Sequence, residues 1–173
     1  RDRLAALPTA TRLAGGCSHS AFIDAGGQLL TCGNGDSEHL CLLGHPAVAK
    51  LAVPTPVPSL AETRVASVSA GVVHTLVLTE AGAVLSFGRD GAGQLGHGDR
   101  EDQHTPKVIE ALRGERVVAV SAGAFHSLVL TEASAVLSFG KGERGQLGHG
   151  DAEDQFTPKV IEALRGERVV AVS

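Results

Sequence analysis

TPKVIEALRGERVVAVS, residues 105–121, recurs without a change as residues 157–173. Around it, residues 69–121 align with 121–173 without a gap at an offset of about 52, and only about ten positions differ. A weaker third copy lies upstream. Ala14-Gly15-Gly16-Cys17-Ser18-His19-Ser20 matches Ser69-Ala70-Gly71-Val72-Val73-His74-Thr75, and Leu29-Leu30-Thr31-Cys32-Gly33 matches Val84-Leu85-Ser86-Phe87-Gly88. Thr55-Pro56 then corresponds to Thr105-Pro106, so loop lengths have drifted in this first copy.

A period near 50 residues suits one blade of a β-propeller, although several solenoid repeats are close in length, so secondary structure has to decide. Four short strands are expected per period, at 106–111, 117–122, 126–131 and 135–140. HSLVLT (126–131) and AVLSF (135–139) are rich in β-branched and apolar residues. Glu132-Ala133-Ser134 separates them where the sister copy has Glu80-Ala81-Gly82. Glycine is the residue expected where a hairpin turn needs positive φ. Ser134 in that conformation would cost about 1 kcal/mol. PKVIEALR (106–113) also reads as a short helix, with Pro in the first turn and good helix formers after it. It ends at Gly114 after barely two turns, and a helix that short is marginal alone, so a strand is preferred.

Both faces of these strands carry apolar residues. Val118 and Val120 are expected on one face, with Val117 and Ala119 on the other; Leu76 and Leu78 oppose Val77. A sheet with one wet face would alternate apolar and polar. Apolar residues on both faces imply a sheet sandwiched between neighbours, as in a propeller. The expected class is therefore all-β, with blades of four antiparallel strands. Residues 1–64 read as a divergent first blade with an N-terminal strand remnant, 65–116 as a second blade, 117–168 as a third, and 169–173 as the first strand of a further one. Propellers usually close with four to eight blades. The terminal sheets are thus expected to be completed by the remaining blades of a parent chain or by a self-associated copy. With no Met in the sequence, a fragment or processed piece is expected.

The 173 residues carry a formal charge of −4, which argues against a broad electrostatic footprint for nucleic acid or an anionic membrane. No apolar run approaches the roughly 20 residues of a membrane helix. The three cysteines, Cys17, Cys32 and Cys41, lack CxxC spacing. They read as reduced thiols of an intracellular protein, cytoplasmic or nuclear. Cys32, His39, Cys41 and His45 fit no common zinc pattern. No metal, cofactor or catalytic residue is expected.

GQLGHGD (93–99 and 145–151), TPKVI and then VVAVSAGxxH(S/T)LVLT recur in order. They strongly resemble the repeat of the regulator of chromosome condensation family over about residues 10–173. The resemblance implies a seven-bladed propeller for the complete protein. It also implies a choice of roles: nucleotide exchange on the small GTPase Ran, propeller domains of HECT-type ubiquitin ligases, ciliary GTPase-linked proteins, and the plant ultraviolet-B photoreceptor. Fold membership does not select among these. The photoreceptor carries Gly-Trp-Arg-His-Thr where this chain has Gly71-Val72-Val73-His74-Thr75, Gly123-Ala124-Phe125-His126-Ser127 and Gly16-Cys17-Ser18-His19-Ser20. The chain has no Trp, so that photochemistry is not expected.

Gly93, Gln94, Leu95 and Gly96, with Gly145, Gln146, Leu147 and Gly148, have no Lys-Ser/Thr after them and open no helix, which a phosphate loop needs. They read as a tight loop that plugs Leu95 or Leu147 into the inter-blade core. Gly71, His74, Gly88, Gly123, His126 and Gly140 read as further structural repeat positions. His19, His74 and His126, each at a strand start, read as one recurrent hydrogen bond per blade. His97, Asp99, His149 and Asp151 read as turn residues first and as surface contacts second. The copies differ most in loops: Arg89-Asp90-Gly91-Ala92 becomes Lys141-Gly142-Glu143-Arg144, and Val72-Val73 becomes Ala124-Phe125. Fixed strands with variable loops fit a scaffold that presents a binding face. Arg89, Asp90, Phe125, Lys141, Glu143 and Arg144 are therefore candidate contacts for a protein partner, alongside His97, Asp99, His149 and Asp151. The preferred function is a non-catalytic interaction scaffold. A nucleotide exchange factor for a Ran-like GTPase and the substrate-recruiting arm of a HECT-type ligase are the alternatives.

Overall fold

In the computed structural model, which describes residues 12–35, 43–46 and 48–173, the strands form three separate four-stranded antiparallel sheets. The first holds β1 (Leu13–Gly15), β2 (His19–Ile23), β3 (Leu29–Asn34) and β4 (Lys50–Pro56). The second holds β5 (Val65–Ala70), β6 (His74–Thr79), β7 (Val84–Gly88) and β8 (Gln103–Val108). The third holds β9 (Val117–Ala122), β10 (His126–Thr131), β11 (Val136–Gly140) and β12 (Gln155–Val160). Each is a simple meander in which sequential strands are neighbours. The innermost strands carry the stacking: β5 packs on β1 and β2, and β9 packs on β5 and β6.

The middle sheet is apolar on both faces. Val68, Val77, Leu85 and Phe87 join Ala21, Ile23 and Leu29 in the core between the first and second sheets. Leu76, Leu78 and Val84 join Val117, Val120, Val129, Leu137 and Phe139 in the core between the second and third. Each fully buried aliphatic or Phe side chain contributes about 1.5–3 kcal/mol relative to exposure, so the seams hold the stack together. The third sheet's far side carries a smaller cluster, Leu130, Val136 and Ile161, with Val169 and Val172 packed against it. Residues 169–173 form no strand. Val169 and Val172 nevertheless occupy the repeat positions of Val117 and Val120, which pack in the preceding seam.

Two expected strand details are corrected. The strand expected at 106–111 runs instead over Gln103–Val108, and Glu110–Leu112 is a single 3-10 turn. Pro106 is tolerated because β8 is an edge strand, where a missing N–H breaks no interior ladder. The turn then drives Ile109 and Leu112 into the seam. Val118 does not share a face with Val120. Thr131 pairs with Val117 while Leu130 pairs with Ala119, so Val118 is the extra residue of a bulge and is 47% exposed.

The hairpin between β6 and β7 turns at Gly82 with φ 84°, and Ser134 takes φ 62° at the same place in the third sheet. Matching hydrogen bonds hold both turns: Gly82 N–H to Thr79 O (3.0 Å) and Ser134 N–H to Thr131 O (2.9 Å). The serine is therefore held in a left-handed conformation that suits glycine. Among the described residues no helix is long and apolar enough to cross a membrane.

Candidate functional site

The histidine at each strand start reaches the next sheet. His19 Nε2 lies 2.8 Å from Thr75 Oγ1, and His74 Nε2 lies 2.9 Å from Ser127 Oγ. Ser127 donates its own proton to the Gln94 carbonyl at 2.7 Å, so the imidazole of His74 donates through Nε2–H. Both rings are buried, and the Nδ1 atoms of His19 and His74 have no partner. Burial lowers His19 to about 4. Burial lowers His74 to about 3, with smaller contributions from His126 and His19. Burial also lowers His126, whose ring belongs to the outermost sheet. His19 and His74 are therefore neutral struts at pH 7. The Ser127–His74 pair is no nucleophile–base couple, because Ser127 is 0% exposed and its proton is committed to a carbonyl. Small residues let the struts form: a Cβ on Gly71 would collide with the Gly123 carbonyl and sit 2.9 Å from His74 Cε1.

The glycine-rich loops are plugs, as the sequence indicates. Leu95 and Leu147 are buried, and their carbonyls accept hydrogen bonds from Ser86 Oγ (2.8 Å) and Ser138 Oγ (2.6 Å). The same hydroxyls lie 3.0 Å from His97 Nε2 and His149 Nε2. Both histidines thus clamp their own loops. His97 is lowered to about 4 by burial first and by Lys107 second. At Gly96 a Cβ would stand 2.8 Å from the Phe139 ring of the following sheet. A third plug, Leu43-Gly44-His45, escaped the sequence comparison. Thr31 Oγ1 donates to its Leu43 carbonyl at 2.7 Å, and Gly44 faces the Phe87 ring. The signal was the bare Leu-Gly-His triplet, without the Gly-Gln that precedes it in the other two copies.

Asp90 is corrected as a surface contact: it is fully buried. Its Oδ1 accepts the Leu95 N–H at 2.8 Å, while Oδ2 has no partner. Burial, then the Asp99 and Asp102 charges, push its carboxyl up to about 7 against the pull of the Leu95 N–H. Asp99 and Asp151 cap their own loops, accepting the Glu101 N–H (2.9 Å) and the Glu153 N–H (3.1 Å).

The remaining candidates gather at one end of the sheets. Arg89 N–H bonds the Val73 carbonyl and Lys141 N–H bonds the Phe125 carbonyl, each at 2.8 Å. The loop after β5 therefore lies beside the loop after β7, and the loop after β9 beside the loop after β11. Phe125 is 41% exposed. Lys141 pairs with Glu143 at 2.9 Å, Arg89 lies 3.7 Å from Asp102, and Arg144 is exposed. Positions 72, 73 and 89–92, which differ between the last two copies, all fall on this loop face. The opposite face hardly varies. There, clefts of about 770 and 510 Å³ sit at equivalent places, each walled by a hairpin and an Arg-Gly-Glu-Arg segment (113–116 and 165–168). Their arginines are tied up alike, Arg113 to Glu110 and Arg165 to Glu162, each at 2.7 Å.

Among the described residues no cluster of His, Cys, Asp or Glu is arranged to hold a metal ion. Cys17 and Cys32 are free thiols, and His39 and Cys41 lie outside the described residues.

Comparison with known proteins agrees with this architecture. The sequence profile described as "Regulator of chromosome condensation (RCC1) repeat" matches residues 26–78, 81–130 and 134–173. A second profile with that description matches 65–94 and 117–146. The chain is 40% identical over 164 residues to the human E3 ubiquitin-protein ligase HERC2, covering 94% of this chain and 3% of that protein. It is 35% identical over 159 residues to the ultraviolet-B receptor UVR8 of Arabidopsis thaliana, covering 91% of this chain and 36% of that protein. Among solved structures, human WBSCR16 superposes with a TM-score of 0.76 at 27% identity, over 92% of this chain and 42% of that one. Yeast RCC1 (Prp20), solved with Kap60, superposes with a TM-score of 0.74 at 21% identity, over 87% of this chain and 36% of that one.

Proposed function

Because the chain belongs to the regulator of chromosome condensation repeat family, we propose that it is a non-catalytic protein-interaction segment of a propeller, with blades at 65–116 and 117–168 and its binding determinants on the loop face. The observation that carries this reading is the placement of the differences between two otherwise nearly identical copies. Most strand, seam and cleft-face positions are held constant, while residues 72–73, 89–92 and their counterparts, six of the ten positions that differ, vary side by side. Affinity then comes from Phe125, Arg89, Lys141, Glu143 and Arg144 against a protein partner, inside the cell. Neither nucleic acid nor membrane is the ligand, since the charge of −4 offers no basic field.

The likeness to HERC2 favours one more specific reading, a substrate-recruiting arm of a ubiquitin ligase. Exchange on a Ran-like GTPase is the other alternative; it would act by binding the nucleotide-free state better than the loaded one.

Partner capture tests the proposal. Phe125→Asp combined with Arg144→Glu should abolish binding, and Arg113→Ala with Arg165→Ala on the cleft face should leave it intact. The reverse pattern would place the site on the other face. Absence of accelerated nucleotide release from Ran-like GTPases removes the exchange reading alone.

A further inference from the structure

Two neighbouring blades of nearly the same sequence raise a packing question: what tells one seam from the next? The hydrophobic seam cannot, because Val117 and Val120 recur as Val169 and Val172. The histidine strut cannot, because Thr75 and Ser127 accept it equally. Two of the positions that differ between the copies, however, meet in space. Arg100 has Ala152 as its counterpart, and Phe156 has His104. Within each copy these positions are four residues apart. Across the seam the Arg100 guanidinium stands 4.7 Å from the centroid of the Phe156 ring, a cation–π separation.

The contact is seated by its surroundings. Gly98 N–H bonds the Phe156 carbonyl at 2.9 Å, which ties the loop of the second sheet to β12. At Gly93 a Cβ would lie 2.5 Å from Phe156 Cδ1, so only glycine leaves room for the ring.

We propose that Arg100 and Phe156 form a seam-specific lock that encodes blade order, so that the second sheet accepts the third as neighbour in preference to a copy of itself. Stacking third on third would set Ala152 against Phe156 and forfeit the cation. Stacking second on second would set Arg100 against His104 and forfeit the aromatic face. Only the native order brings both halves together. The substitutions that separate the two copies are thus complementary across their shared boundary. This is selection between near-identical surfaces by a matched pair.

A double-mutant cycle on the full chain tests the contact. Arg100→Gln, Phe156→Leu and the double variant are unfolded in urea and followed by far-UV circular dichroism. The expected coupling is about two- to fivefold in the folded-to-unfolded ratio, the range of an exposed cation–π pair. The cycle cancels the loss of Phe156 packing on Gly93, which each Phe156 variant shares. Effects that multiply without coupling overturn the proposal. A second measurement tests order itself. Arg100→Ala with Phe156→His makes the copies alike at both positions. Refolded at high concentration, this chain should yield a larger fraction of exchanged dimers on size exclusion than the parent. An equal fraction overturns the order-encoding role, even if the contact proves coupled.

Discussion

Acidification should weaken this protein through its buried and half-buried histidines, and the size of the effect is set chiefly by four groups. His19, His74 and His97 are held neutral in the fold, with values near 4, 3 and 4, whereas in an unfolded chain histidine titrates near 6.5. Below pH 6.5 the unfolded chain therefore binds more protons, and stability falls as pH falls. Each histidine contributes about 1.4 kcal/mol per pH unit. From pH 6.5 to 4.5 the three together remove about 6–7 kcal/mol. Asp90 acts in the opposite sense. Its folded value is near 7 and its unfolded value near 3.9, so the fold binds the extra proton. Its contribution is complete at low pH and is lost as pH rises toward 7. Over the same window it returns about 3 kcal/mol on acidification. The net expectation is a loss of about 3–4 kcal/mol, a large share of a typical domain's stability. Urea titrations at the two pH values, read by far-UV circular dichroism, measure it. His74→Gln removes one titrating strut, and the acid-induced loss should shrink by about 2 kcal/mol whatever the variant's absolute stability. Asp90→Asn removes the opposing group, and the loss should grow to about 6–7 kcal/mol. If His74→Gln keeps the parent's pH slope, the strut is not the acid-sensitive element and the reasoning fails.

Two further outcomes are expected. Ser134→Gly relieves the left-handed serine at φ 62° and should raise stability by about 0.5–1 kcal/mol, the left-handed penalty less the extra chain entropy of glycine; calorimetry showing no gain would mean the turn relaxes without strain. Leu95→Ala empties the plug pocket and should cost about 2–5 kcal/mol in urea unfolding, while Val118→Ala, at the exposed bulge, should change stability by less than about 0.5 kcal/mol.

The architecture was legible because the last two copies are nearly identical and both faces of their strands are apolar, a pattern that leaves little besides stacked sheets. The plug leucines and the one-bond-per-blade histidines were legible for the same reason, since recurrence separates structure from chemistry. The strut's partner was also legible: Ser or Thr follows each histidine directly, and Thr75 serves His19 as Ser127 serves His74. Other features were hidden by local chemistry. Asp90 precedes glycine and looks like an exposed turn residue; its burial depends on a loop closing over it through the Leu95 N–H. Val118 looks inward by alternation, and only the bulge opposite Thr131 turns it out. The segment 106–113 carries strand and helix signals at once because it is both, an edge strand running into a single tight turn. The Arg100–Phe156 pair could be read only as two unrelated differences, because nothing in a linear alignment says that they meet.

The closing residues show how such a chain can grow. Val169 and Val172 rest on the third sheet without forming a strand. A blade thus offers the leading edge of a successor a seat that does not depend on that edge being paired into a sheet. Lengthening by duplication of one such unit then needs no new invention at the junction, only a repeat that begins with the same two valines.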